Sequence, residues 1–224
     1  MEKVKRYYIE EERYDWVEVA EKFRGLEAIF LRNRRRFINK TLRKFSKGYP
    51  ILDAGCGSGL ILMELPMAVG LDINPWAIGK ALKRCVDGQC LIIGDLECLP
   101  LRYGVFRTVI CTEVIEHLLN PVKALREMWR TLRPCGVLIG SVPCRSFLRI
   151  AYLILKSRGG LFDRILTAVF PCPSDVPFHN YYSKDEVEEM LRKFFKRVVT
   201  WTSIFGLNVV FACQKEATRP SPCS

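Results

Sequence analysis

Five short apolar runs alternate with stretches of helical spacing, and this alternation constrains the fold of the 224-residue chain more than any other feature. The runs are ILDAG (51–55), AVGLDI (68–73), CLIIGD (90–95), TVICTE (108–113) and VLIGSV (137–142). The stretches between them include PWAIGKALKRC (75–85) and PVKALREMWRTL (121–132). Apolar strands that alternate with helices predict a parallel sheet covered on both faces, which is an α/β architecture.

The segments that flank this core have a different pattern. Residues 15–47 have helical spacing, and SKDEVEEMLRKF (183–194) begins with Ser183 and Glu186 in the positions of a capping box. Two β-like runs follow, RVVTWTSIF (197–205) and LNVVFACQK (207–215). The sequence predicts a single domain, made of an N-terminal helical segment (1–48), a core (49–143), a helical cap insertion (144–182), a C-terminal helix with strands (183–216) and a tail (217–224).

Composition and charge exclude several classes of protein. Apolar residues make up 49% of the chain, which excludes a disordered or fibrous protein. The first 15 residues are rich in charge, and no apolar run reaches the roughly 20 residues that span a bilayer. The 10 cysteines form no CxxC pair and there are 2 histidines, so we expect no metal site. We therefore expect a cytoplasmic protein, either soluble or peripheral to a membrane.

A glycine-rich loop, LDAGCGSG (52–59), follows the first apolar run. Its three glycines, Gly55, Gly57 and Gly59, allow a tight turn and a close approach to a ligand. Leu60 occupies the position of the last glycine of the dinucleotide-binding pattern GxGxxG, which argues against NAD. Asp72 and Asp95 end the next two runs, where the carboxyl ends of parallel strands meet and ligands bind. A carboxylate at Asp72 could accept from ribose hydroxyls, and one at Asp95 from an adenine amino group.

The chain resembles the class I S-adenosylmethionine-dependent methyltransferases in five ordered motifs between residues 51 and 143. These motifs are LDAGCGSG, GLDINP (70–75), GDLECLPL (94–101), EVIEHL (113–118) and LRPCGVL (132–138). The resemblance is strongest to the group that contains ubiquinone- and menaquinone-biosynthesis enzymes. It implies a Rossmann-like, doubly wound sheet of seven mostly parallel strands, the last one antiparallel. It also implies S-adenosylmethionine as the cofactor.

The same resemblance assigns cofactor-binding roles to ten residues of this chain. Near the methionine part it places Gly55, Cys56 and Gly57, with Asp53 bracing the loop; near the ribose, Asp72 and Ile73; near the adenine, Asp95 and Leu96; and near the transferred methyl group, Glu113 and Val114. The chain departs from the family pattern at Cys135, which stands where the family has a glycine. We expect a less strained turn there.

Three residues are candidates for catalysis, because a general base is needed when the acceptor arrives protonated. His117 follows the fourth strand, where it acts either as a base or as a structural hydrogen-bonding residue. His179 and Tyr182 follow the insertion, where the family often has a substrate-facing histidine or aromatic residue. The alternative for these two is that they cap the next helix.

The insertion suggests the acceptor. Its segments 145–156 and 161–170 have basic and apolar faces, as expected of a lid that contacts a membrane surface or a quinone- or lipid-like small molecule. The alternatives are a cap folded over the cofactor and a homodimer contact. The net charge of +11 and the arginine cluster at 32–36 leave RNA as a second acceptor class, beside protein. A non-catalytic binding protein with this fold is a further alternative.

Overall fold

The carboxyl ends of a mixed seven-stranded sheet form the edge on which all predicted ligand-binding residues lie. A computed structural model describes residues 2–12, 15–22, 26–144, 180–203 and 208–217. The strand order is β3-β2-β1-β4-β5-β7-β6. The strands are β1 (Ile51–Ala54), β2 (Val69–Asp72), β3 (Cys90–Ile93), β4 (Phe106–Thr112), β5 (Leu132–Pro143), β6 (Arg197–Thr202) and β7 (Asn208–Gln214).

The sheet is parallel except at one strand. Strands β1 to β5 pair in parallel, whereas β7 runs antiparallel to both β5 and β6. The predicted sheet of seven mostly parallel strands with an antiparallel last strand is therefore confirmed. The connections reverse direction between β1 and β4, and this switch point opens a crevice at the carboxyl ends of both strands.

Helices cover both faces of the sheet. They are α1 (Glu2–Glu10), α2 (Trp16–Lys22), α3 (Leu26–Phe45), α4 (Pro75–Leu82), α5 (Pro121–Thr131) and α6 (Lys184–Arg192). Helices α4, α5 and α6 begin at recognisable caps. Asn74 and Asn120 each accept a hydrogen bond from the third residue of the helix that follows, and each precedes a proline at the first helical position. The predicted capping box of Ser183 and Glu186 is present at the start of α6.

The described residues contain three short 3-10 helices, of which the second and third lie at the carboxyl edge of the sheet. They span Leu62–Glu64, Leu96–Cys98 and Ile115–His117. The first replaces a full helix between β1 and β2, in agreement with the short connection between Gly59 and Asp72. The third follows β4 directly, and it brings His117 to the same edge as the glycine loop.

The turn before the main part of β5 corrects one expectation. Cys135 has a φ of 63°, in the left-handed region that favours glycine. The predicted relaxed turn is therefore wrong, because the cysteine adopts the strained backbone that a glycine would adopt freely. The predicted helices of the insertion, within 145–179, lie outside the described residues.

Candidate functional site

A cavity of about 360 Å³ lies at the carboxyl ends of β1, β2, β3 and β4. All ten residues predicted to bind a cofactor line it, although they come from four different strand ends. They are Asp53, Gly55, Cys56, Gly57, Asp72, Ile73, Asp95, Leu96, Glu113 and Val114. The short β–loop connections of the fold bring these distant residues together, as expected at a switch point.

The glycine loop makes the floor of the cavity, and at Gly55 it leaves no room for a side chain. Gly55, Gly57 and Gly59 have φ values of 85°, 52° and 94°. A Cβ on Gly55 would lie 2.4 Å from Cγ2 of Val114, a separation that real Cβ atoms do not show. The backbone N–H groups of Gly55 and Cys56 donate to the carbonyl of Leu71 at 2.7 and 3.0 Å, which ties the loop to β2.

Asp72 fixes the loop from the neighbouring strand. Its carboxylate accepts from the backbone N–H of Gly57 at 2.8 Å and from that of Asn74 at 3.0 Å. Burial raises the pKa of Asp72, although these two backbone donors partly oppose the shift. The residue predicted to hold a ribose thus also shapes the glycine loop.

A buried cluster of acidic groups faces one arginine beneath the loop. Asp53 and Glu116 are 2% and 1% exposed, and Arg34 of α3 lines the same cavity. Among the described residues, three buried side-chain atoms of this cluster have no hydrogen-bond partner: Arg34 Nε, Asp53 Oδ2 and Glu116 Oε2. Unpartnered buried polar atoms are costly, so a set of three around one cavity indicates a polar ligand.

The acidic groups of this cluster hold protons readily. Burial, reinforced by the charge of Asp72, raises the pKa of Asp53 to about 7. Burial together with the charge of Glu113 raises the pKa of Glu116 well above its ordinary value. A positively charged ligand near Arg34 would favour the ionised form of both carboxyl groups.

Arg34 was missed by the sequence interpretation, although a signal for it exists. It lies three residues after Leu31 and four before Ile38, and both leucine and isoleucine are buried on the inner face of α3. A cation on a buried apolar stripe requires a partner, and the same spacing holds for Arg35, so the pattern indicates both arginines without separating them. Arg32 instead donates to the carbonyl of Ala20 at 2.9 Å, and Arg35 pairs with Glu64 at 3.0 Å.

Glu113 lines the cavity, and its carboxylate is hydrogen-bonded to other side chains of the protein. Its backbone has a φ of 55°, and its carboxylate accepts from Ser141 Oγ at 2.6 Å and from Asn208 Nδ2 at 2.9 Å. Burial raises the pKa of Glu113, with Arg34 opposing the shift. Glu113 therefore links β4 to β5 and β7 at the wall of the cavity.

Asp95 and Leu96, which the resemblance predicts to hold an adenine, line the cavity where β3 ends. Leu96 is buried, and one oxygen of Asp95 caps the 3-10 helix by accepting from the N–H of Glu97 at 2.8 Å. The other oxygen accepts from Lys5 Nζ at 2.6 Å. Lys5 comes from α1, which lies across this side of the cavity.

The three catalytic candidates have different outcomes. His117 lines the cavity, and its Nδ1 lies 3.0 Å from the hydroxyl of Tyr8. Tyr182 forms an isolated bridge with Cys144 and packs against the main hydrophobic core, and it is not among the residues that line the cavity. His179 lies outside the described residues, so its role stays a prediction.

The ends of the insertion meet the cavity beside His117. Pro143 lines the cavity, and the backbone N–H of Asn180 donates to the carbonyl of Glu116 at 2.8 Å. Whatever the intervening residues form, the chain leaves and returns next to the 3-10 helix Ile115–His117. The described residues contain no cluster of histidine, cysteine or acidic groups suited to a metal ion. Within the same part of the chain, no helix is long and apolar enough to cross a membrane.

Comparison with known proteins agrees with this geometry. Residues 52–140 match the family model described as a methyltransferase domain. A ubiquinone biosynthesis O-methyltransferase of Coxiella burnetii is 29% identical over 151 residues, which cover 63% of this chain and 62% of that protein. The chain spans 33% to 62% of the length of the curated relatives that it matches first.

Two solved structures show the same fold. One is a methyltransferase of Haloferax volcanii in complex with the methyltransferase activator Trm112, with a TM-score of 0.64, 14% identity, and coverage of 82% of this chain and 90% of that one. The other is an S-adenosylmethionine-dependent methyltransferase of Thermotoga maritima, described as a possible histamine N-methyltransferase. Its TM-score is 0.60, its identity 19%, and its coverage 85% of this chain and 100% of that one.

Proposed function

We propose that this chain is a class I S-adenosylmethionine-dependent methyltransferase, which transfers a methyl group from that cofactor to a hydrophobic, quinone- or lipid-like small molecule. The match of residues 52–140 to the methyltransferase-domain model supports this proposal. The proposal rests on one observation. All ten residues predicted to bind the cofactor line the same cavity, and three buried side-chain atoms of residues in its wall have no hydrogen-bond partner.

The amino-acid end of the cofactor fits the buried cluster. Its carboxylate matches the guanidinium of Arg34, and its ammonium group matches the unpartnered oxygens of Asp53 and Glu116. The backbone of Gly55 and Gly57 allows the approach, since a Cβ on Gly55 would already collide with Val114. Each unpartnered buried atom of the cluster would then gain a partner of opposite charge.

The nucleoside end fits the outer part of the cavity. Asp72 would accept from the ribose hydroxyls, and Asp95 from the adenine amino group, with Ile73 and Leu96 on either side of the base and sugar. The half-buried ring of Trp76 also lines this region and is covered by Lys80 Nζ at 4.8 Å from its centroid. NAD has no ammonium group to match the unpartnered oxygens of Asp53 and Glu116.

The reaction needs alignment more than covalent chemistry. When bound, the cofactor would supply a methyl group on a positively charged sulfur, and the neutral thioether would be the leaving group when the acceptor's lone pair takes the methyl. The chain's own task is to hold the acceptor in line and to exclude water. We assign to His117 the removal of the proton from a hydroxyl acceptor, and its position in the cavity wall beside Glu116 and Pro143 supports this role.

An apolar acceptor is supported by the wall around His117. Leu118, Leu119, Pro143 and Tyr8 line the cavity there, and the insertion begins and ends beside it. The similarity to a ubiquinone biosynthesis O-methyltransferase favours the same class of acceptor. RNA is less well supported, since three arginines of the 32–36 cluster are engaged within the fold or face the cavity.

The test is a calorimetric titration with S-adenosylhomocysteine, methylthioadenosine and NAD. Methylthioadenosine lacks the amino-acid end, so it separates the two halves of the site. We expect Arg34→Met to weaken S-adenosylhomocysteine binding at least about tenfold, the loss expected when a buried charge pair is broken, and to leave methylthioadenosine unchanged. Arg36→Met is the matched control, because Arg36 is exposed on the same helix and should change neither affinity.

Two results would contradict the proposal. A folded wild-type protein that binds neither adenosine compound would show that the fold serves another role, such as binding a partner. Equal weakening of both compounds in Arg34→Met would place Arg34 away from the amino-acid end. Once binding is shown, demethylated phenols with apolar tails, phospholipid precursors and transfer RNA are compared as acceptors by the rate of S-adenosylhomocysteine formation.

A further inference from the structure

The N-terminal helix α1 rests on the cavity without belonging to the hydrophobic core. None of its described side chains, from Lys3 to Glu10, is buried, and Ile9 is 40% exposed. None of them joins the three core clusters formed by the described residues. A helix of nine residues is unstable by itself in water, so its position depends on the contacts that it makes.

The polar contacts of α1 go to residues at the strand ends, and the ring of Tyr8 also packs against that of His117. Lys5 Nζ donates to Asp95 Oδ2 at 2.6 Å and to Glu97 Oε2 at 3.1 Å. The amide of Asn74 donates to the carbonyls of Tyr8 and Glu11 at 2.8 and 2.6 Å. The Tyr8 hydroxyl meets His117. Helix α1 is thus attached to the segments that follow β2, β3 and β4.

The contact of Lys5 uses an atom that the proposed cofactor needs. One oxygen of Asp95 is already engaged as the cap of a 3-10 helix, so Oδ2 is the oxygen directed at other donors. An ammonium group is a stronger donor to a carboxylate than the neutral amino group of adenine. Burial opposes the charge of Lys5, but hydrogen bonds to Asp95 and Glu97 outweigh it and raise its pKa, so Lys5 is charged at neutral pH.

We infer that α1 is a lid held closed by Lys5, and that the Lys5 ammonium and the adenine amino group compete for Asp95. The inference rests on the proposed function. In the absence of cofactor, Lys5 closes the lid over the cavity. When the cofactor enters, adenine takes Asp95, and α1 loosens from the cavity. Lys5 therefore lowers cofactor affinity and slows its entry.

The affinity of S-adenosylhomocysteine measures this competition. The two charged groups are partly exposed, at 34% and 29%, so their contact is of modest strength. We expect Lys5→Met to bind S-adenosylhomocysteine about three- to fivefold more tightly than the wild type, the range that a partly exposed ion pair supports. Lys3→Met, an exposed lysine on the same helix, should bind as the wild type does.

The salt dependence of the affinity for S-adenosylhomocysteine is a second measurement, and we expect no such dependence if Lys5 has only a structural role. S-adenosylhomocysteine carries no net charge at neutral pH, so screening acts mainly on the protein's own ion pairs. Raising the ionic strength from 0.05 to 0.5 M should bring the wild-type affinity close to that of Lys5→Met, because screening weakens exposed ion pairs. Tyr8→Phe, which loosens the same helix without touching Asp95, should also bind more tightly, with the salt response of the wild type retained.

The outcomes separate the lid from the cofactor site itself. If Lys5→Met is folded by circular dichroism but binds S-adenosylhomocysteine no more tightly than the wild type, the competition is refuted. Weaker binding would make Lys5 part of the cofactor site, and unchanged binding would show that Lys5 has no effect on it. Hydrogen exchange that becomes slower throughout α1 on addition of S-adenosylhomocysteine would also overturn it, since the lid would then close on the cofactor rather than yield to it. Absence of binding in all four proteins instead refutes the proposed function.

Discussion

Replacing Gly55 with alanine tests whether the glycine loop is held as tightly as the structure indicates. Two separate costs apply. Gly55 has a φ of 85°, and an L-residue in the left-handed region costs about 1–2 kcal/mol. The new Cβ would also lie 2.4 Å from Cγ2 and 2.9 Å from Cγ1 of Val114. Overpacking of this kind adds about 1–3 kcal/mol. We expect Gly55→Ala to lower the free energy of unfolding by about 2–5 kcal/mol, the sum of these terms.

Two other glycines separate the cost of backbone strain from the cost of overpacking. Gly57 has a φ of 52°, but a Cβ there would meet Trp16 Cδ1 at 3.6 Å, which is ordinary contact. Gly57→Ala should therefore cost about 1–2 kcal/mol, from backbone strain alone. Gly79 lies within α4 with no atom within 4 Å of the added Cβ, and Gly79→Ala should stabilise the protein by about 0.5–1 kcal/mol.

The steric part of the Gly55 effect has a direct test in Val114. Val114→Ala removes the two methyl groups that collide, although the Val114 Cβ stays at 3.2 Å from the new atom. In the Gly55→Ala background, this second change should recover about 1–3 kcal/mol, so the two substitutions are strongly non-additive. The measurement is urea unfolding of the four proteins of the cycle, with S-adenosylhomocysteine binding recorded for each. Additive effects, or a Gly55→Ala cost no larger than that of Gly57→Ala, would refute the packing described for the loop.

Three other substitutions test the buried charges and one cap. Because the pKa of Asp53 is raised from 3.8 to about 7, the folded state binds more protons than the unfolded state between these values, and wild-type stability falls by up to about 4 kcal/mol as pH rises through this window. Asp53→Asn should make that fall smaller in urea unfolding at pH 5 and pH 8, the remainder being due to the raised pKa values of Asp72, Glu113 and Glu116, and it should weaken S-adenosylhomocysteine binding. Burial lowers the pKa of Lys215 from 10.5 to about 8, so its contribution to stability rises by up to about 3 kcal/mol between these values. Lys215→Met should lose this rise, and it should also be less stable at pH 7, because the carbonyls of Trp129 and Leu132 lose their donor. Ser183→Ala removes the cap of α6 and should cost about 1 kcal/mol in a thermal melt, with cofactor affinity unchanged. A wild-type protein whose stability is flat from pH 5 to 8 would contradict the Asp53 assignment.

The strand ends of the site could be predicted from the sequence because they depend on local patterns. Apolar runs fix where each strand stops, and in a parallel sheet every such stop lies at one edge. Asp72 and Asp95 follow directly from this rule, and so does the glycine loop. The turn at Cys135 could not be predicted in this way, because the backbone of a β5 turn is imposed by its neighbours and overrides the preference of the residue.

Contacts between distant segments were beyond the sequence interpretation. Lys3, Lys5 and Arg6 are alike as sequence, and what distinguishes Lys5 is a pair of carboxylates at positions 95 and 97. The identity of Asp95 as an adenine-binding residue was predicted, but its occupation by a lysine of α1 depends on how a helix without buried side chains lies on the sheet. No spacing rule within the first 12 residues contains that information.

The net charge of the whole chain and the charge of the cavity wall indicate different ligands. The chain has a net charge of +11, which favours anionic partners such as RNA. The cavity has the opposite balance, because carboxyl groups outnumber cationic side chains along its wall. Its acidic residues are Glu11, Asp53, Asp72, Asp95, Glu97, Glu113 and Glu116, and its basic ones are Lys5 and Arg34. A ligand with an ammonium group, a positively charged sulfur and one carboxylate complements that wall, whereas a polyphosphate backbone would meet repulsion there. Any nucleic acid would therefore have to bind on the basic outer surface and present a single base or a side group to the cavity, and an uncharged acceptor avoids that requirement altogether.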